Sequence, residues 1–141
     1  MKSTHFLSIV FTLLIFSGCE TIQKATNSTG SAFTLTGQWE LFSNSPENVL
    51  LGTKVTVAPL ISEARVTTLN GTGNCLRQSD VLWKNILADG NGGFTITNLI
   101  SGCNGLNYQP ASIYVVNSNE IRLTGKNISP QDMIQIWKRV N

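Results

Sequence analysis

From Phe33 onward the chain alternates between apolar and polar positions. In the stretch FTLTGQWELF, Phe33, Leu35, Trp39 and Leu41 fall on one parity, while Thr34, Thr36, Gln38 and Glu40 fall on the other. Period-two alternation in this residue mix predicts a strand with one face buried. Further runs of the same kind lie at 53–58, 64–69, 80–87, 93–100, 112–117, 119–124 and 133–140. Turn formers separate them, among them Asn70-Gly71, Asp89-Gly90-Asn91-Gly92-Gly93 and Asn117-Ser118-Asn119, each suited to reversing the chain. About eight short strands at this spacing predict an all-β domain over residues 33–141, a small antiparallel β-barrel or sandwich. Two places also admit a helix. Ser45-Pro46-Glu47 can open a single turn over residues 48–51 that Gly52 ends, and Ser129-Pro130-Gln131-Asp132 has the form of a capping box before MIQIWKRV. The β-branched and aromatic content of MIQIWKRV favours a strand there.

The first residues follow a different pattern. Lys2 supplies a positive charge, Phe6 to Phe16 is an apolar run of eleven residues that includes Ser8 and Thr12, and Ser17 and Gly18 lead to Cys19. The run is too short to cross a bilayer and has the layout of a secretory leader. Phe16-Ser17-Gly18-Cys19 resembles the lipobox of bacterial lipoproteins. That resemblance implies a leader over residues 1–18, acylation of Cys19, and attachment of the domain to a membrane outside the cytoplasm, on the periplasmic side. Each buried lipid methylene contributes about 0.8 kcal/mol, so two or more chains give a stable anchor. Residues 19–32 then hold one large aliphatic side chain, Ile22, and no aromatic. They read as a lipidated cysteine followed by a flexible tether.

Of three cysteines, Cys75 and Cys103 remain as a pair once Cys19 is set aside for lipid. An exported location is oxidising enough to join them. A catalytic thiol or a metal site is disfavoured, because the only histidine, His5, lies in the leader. Ser-His-Asp triads, Cys-His pairs and histidine-based metal sites have no place in the domain. The acids are few, and none forms a local pair of the kind a glycosidase uses. Asp89 to Gly93 has the look of a calcium loop, but its twelfth position is Ile100 rather than Glu, so a hairpin turn is expected. Charge narrows the partners further. The 141 residues carry ten Lys and Arg against eight acids, for a formal net charge of +2. The basic residues are scattered singly, which argues against nucleic acid. No enzyme activity, cofactor or metal is expected, and the chain is expected to be a monomer.

Gly37-Gln38-Trp39 in the first run and Trp137-Lys138-Arg139 in the last carry a second resemblance. Lipocalins open with Gly-x-Trp and close their barrel with a late arginine packed across that tryptophan. The chain is similar to the short lipocalin-like domains of bacterial lipoproteins, chiefly those of Bacteroidetes. The resemblance implies that Gly37, Trp39 and Arg139 close one end of a barrel. Two functions are left open: a barrel that binds a small apolar ligand, lined by Trp83, Tyr108 and Tyr114, or a filled barrel that meets an envelope protein. A barrel of eight strands has room for either arrangement.

Overall fold

The computed structural model describes residues 24–26 and 32–141, all of them in strands, turns and connecting segments. Two short strands come first, β1 (Lys24–Thr26) and β2 (Ala32–Thr34), paired antiparallel. Eight longer strands follow: β3 (Gly37–Ser45), β4 (Lys54–Val57), β5 (Glu63–Thr68), β6 (Val81–Ala88), β7 (Phe94–Ser101), β8 (Asn107–Asn117), β9 (Glu120–Lys126) and β10 (Asp132–Arg139). Each pairs with the next in sequence, and β10 returns to β3, so the sheet closes into an antiparallel barrel. This is the all-β class expected, with the barrel chosen over the sandwich and a layout consistent with a lipocalin-like cylinder.

Alternation explains the inward face. Trp39 and Leu41 of β3, Val55 and Val57 of β4, and Ile121 and Leu123 of β9 are all buried, and each pair is two residues apart, as a strand requires. In β10 the buried residues are Met133, Gln135 and Trp137, so MIQIWKRV lies in a strand and not in a helix. Residues 46–52 likewise form turns without a helical segment.

Two local readings are corrected. The run 33–41 is not one strand: it breaks after Thr34, where Leu35 drops into the core at 0% exposure. β8 starts at Asn107, five residues before the expected start at 112, and includes Pro110. Pairing with β9 begins only at Ala111, leaving residues 107–110 bonded to β7 alone, and proline is tolerated at such an edge. Within the span 19–32 read as a lipidated cysteine and tether, Lys24–Thr26 is a strand paired with Ala32–Thr34. Three residues are too few to show alternation. The leader 1–18 and Cys19 lie outside the described residues.

An even number of antiparallel strands sorts the connections into two ends. Residues 46–53, 69–80, 102–106 and 127–131 gather at one, which we call the loop end. At the other, the closed end, lie 58–62, 89–93 and 118–119, together with the entry of the chain through β2.

Candidate functional site

The closed end is built around Trp39, which is 0% exposed. Its indole N–H donates to the Leu35 carbonyl at 2.9 Å, and the guanidinium carbon of Arg139 stands 4.2 Å from the ring centroid. A cation over an indole contributes about 0.5–2 kcal/mol, more when shielded from water. Arg139 also spends its donors on backbone: Nη1 to Thr36 O at 2.7 Å, Nη2 to Thr34 O at 2.8 Å and Nε to Ser118 O at 2.9 Å. One side chain thus ties the β2–β3 link to the β8–β9 turn. Gly37 makes room for it. Its φ is +127°, and a Cβ there would sit 2.7 Å from Arg139 Nη1. Burial pulls the Arg139 guanidinium below its usual pKa, yet arginine stays charged in proteins.

The interior is filled. Trp83 and Trp137 meet edge to face at a centroid distance of 5.0 Å, within the favourable range for aromatic pairs. Phe33 bridges Trp39 and Phe94, with both ring distances 6.2 Å. Near the loop end lies a cavity of about 30 Å³ bordered by Asn98, Gln135, Trp137 and the surrounding loops. That is room for about one water, far below the 300–1,000 Å³ of a small-molecule site.

A chain of polar side chains leads from this space to the loops. Trp137 Nε1 donates to Gln135 Oε1 at 3.0 Å, Gln135 Nε2 to Asn44 Oδ1 at 3.4 Å, and Asn44 Nδ2 to the Val49 carbonyl at 3.1 Å. Beside it, Asn127 Nδ2 donates to Glu47 Oε1 at 3.0 Å, and Asn127 Oδ1 accepts the Gln131 N–H at 2.9 Å. Sequence reasoning missed these residues, because partners 80 and 91 positions apart leave no local trace. The one available signal is polarity on a buried parity, as at Asn98 between Ile96 and Ile100. Asn98 Oδ1 and Trp83 Nε1 are buried without a hydrogen-bond partner. An unmet buried acceptor costs about 1–3 kcal/mol. Asn98→Leu is therefore expected to stabilise the protein by about 1 kcal/mol in urea denaturation; a loss of stability would show that the amide is needed.

Across the loop end, Cys75 and Cys103 are joined in a disulfide with a Cα–Cα distance of 4.8 Å. Gly102 permits this, since a Cβ there would lie 2.8 Å from the Cys75 carbonyl oxygen. The bridge fixes the β5–β6 loop, whose Leu76 is buried in the barrel mouth, against the β7–β8 loop.

The three residues expected to line a ligand site do not come together. Trp83 is inside and completely buried. Tyr108 points its hydroxyl at the Val81 carbonyl, 2.8 Å away, with Lys84 Nζ 3.6 Å from its ring centroid. Burial is the main cause, and Asp80 and Glu63 the lesser ones, that raise the Tyr108 pKa, so the hydroxyl keeps its proton. Tyr114 is 53% exposed. The reason is parity: Ala111 and Ile113 take the inward positions of β8, which turns Tyr114 outward. Asp89 is occupied by its own turn, its Oδ1 accepting the N–H groups of Asn91 at 2.7 Å and Gly93 at 3.0 Å. Outside the barrel, an open groove of about 620 Å³ runs over β7 to β10, where Ala111 and Gly125 lie side by side.

Compared with known proteins, the chain matches no family model, no curated protein and no solved structure.

Proposed function

We propose that the chain is a membrane-anchored bacterial lipoprotein whose barrel works as a filled, rigid module for contact with an envelope protein. The observation that carries this is the interior: Trp39, Trp83, Trp137 and Phe94 occupy it, and the cavity beside Trp137 measures about 30 Å³. A carrier of an apolar molecule needs a cavity about ten times larger. The anchor rests on the sequence, on Phe16-Ser17-Gly18-Cys19 and the apolar run before it. A Cys75–Cys103 bridge suits an oxidising compartment outside the cytoplasm. Leu106, 63% exposed, and Ile128, 47% exposed, offer apolar contact at the loop end, beside the polar chain that ends there.

Native mass spectrometry of protein purified from its host membranes tests the reading. The expected result is the acylated chain alone. A small molecule reproducibly bound in one-to-one ratio would replace the filled module with a ligand carrier. A chain with a free Cys19, or one cut elsewhere, would remove the anchor.

A further inference from the structure

The turn between β4 and β5 is chemically odd. Ala58-Pro59-Leu60-Ile61 closes with the Ile61 N–H donating to the Ala58 carbonyl at 3.5 Å, and Leu60 has φ +65°. A turn with proline second and a left-handed third residue calls for Gly or Asn at that third position. Leucine there is strained. The strained residue is also the most exposed large apolar side chain among the described residues, at 76%, followed in the same turn by Ile61 at 49%. Leu87, 52% exposed, lies alongside, because the Ile86 N–H donates to the Ser62 carbonyl at 3.3 Å. The other two turns of this end, Asp89 to Gly93 and Ser118-Asn119, are polar.

This apolar tip stands where the chain enters. Gly37, the first residue of β3, pairs with Val57, the last of β4, so the turn follows directly beside the entry strand. β1 pairs back along β2, with Lys24 opposite Thr34. Lys24 is five positions after Cys19, a span of at most about 17 Å of extended chain. An acyl group on Cys19 would hold this end, and no other, within reach of lipid headgroups.

We propose that the closed end of the barrel seats on the bilayer, with Leu60 and Ile61 inserted among the acyl chains and the loop end turned away. This rests on the lipoprotein reading above. Strain at Leu60 then has a purpose, which is to present two adjacent apolar side chains at the tip. Behind them, Arg65 pairs with Glu63 at 2.8 Å, so the contact depends on apolar insertion and not on a basic patch.

The test uses the lipidated chain in vesicles of phosphatidylethanolamine and phosphatidylglycerol, with and without brominated acyl chains. Leu60→Trp, and Ile61→Trp as a second reporter of the same turn, are expected to add tryptophan emission that brominated lipid reduces at least twofold. Leu106→Trp, at the loop end, is expected to add emission that is unchanged. Unquenched emission from both turn variants, or equal quenching at the two ends, overturns the seating; the first result leaves the tip to a protein partner. Mass analysis of the Cys19 peptide from the same sample separates the two levels. An acylated chain with an unquenched tip overturns the seating alone, whereas an unacylated chain overturns the anchor and the seating together.

Discussion

Trp39→Ala is expected to lower the stability of the protein by about 3–5 kcal/mol, the range for truncating a fully buried large aromatic. Three losses combine. The indole leaves a void in a core that is otherwise filled, since Trp39 is 0% exposed and packs on Phe33. The Leu35 carbonyl loses the indole N–H that it accepts at 2.9 Å. Arg139 loses the ring 4.2 Å beneath its guanidinium, although its three carbonyl acceptors hold it over the gap and limit collapse. Urea denaturation followed by far-UV circular dichroism measures the change, because it does not rely on the tryptophan removed. A loss below about 1 kcal/mol, the scale of a surface substitution, would mean that the plug carries no load and that β2 closes the end by itself.

Removing the disulfide is expected to cost about 3.5 kcal/mol, the loop-entropy value for a closed loop of this length. The two cysteines are 28 positions apart, and the segment between them contains β6 and β7. The native arrangement gains little strain relief when the bond is cut, because Gly102 N–H still donates to the Asn74 carbonyl at 2.7 Å and Leu76 stays buried. The effect should therefore fall on the unfolded chain. Comparing oxidised protein with a Cys75→Ser, Cys103→Ser double variant in the same denaturant series reads it directly. A difference under about 1 kcal/mol would show that the unfolded ensemble already keeps the two loops together, contrary to the loop-entropy account.

Both predictions concern features of which only half was legible in the sequence. Trp39 and Leu41 announce the inward face of β3, and the pairing of Cys75 with Cys103 follows once Cys19 is assigned to lipid. Strand existence is local, so alternation reveals it. What alternation hides is where local order breaks. In β6, Leu82 and Trp83 are adjacent and both buried, where the register with β5 shifts: Ala64 pairs with Trp83 and Arg65 with Val81, and Leu82 is left between them. A parity argument cannot place both residues. Pro110 reads as a strand breaker, and only the absence of a β9 partner at that point makes it acceptable. The polar chain from Trp137 through Gln135 to Asn44 is invisible for a different reason: its members are ordinary strand residues until closure brings β10 to β3. Where the aromatic residues stand is hidden in the same way, since aromatic character marks Tyr114 as a candidate binder while its parity turns it to solvent.

The junction of β3 with β10 pairs Trp39 with Arg139 and Ser45 with Ile134, joining the first wall of the cylinder to the last. Any chain made from its amino terminus onward presents seven staves with two bare rims until residues 132–139 arrive. Such rims are open to pairing with other chains, and contacts between distant parts of a sequence form slowly. A product broken off before Asp132 can never hide them and also lacks the arginine clasp. The architecture therefore tells a closed copy from a truncated one: only a polypeptide that runs through Arg139 becomes a seamless object, and one that stops before Asp132 stays exposed to proteases and to its neighbours.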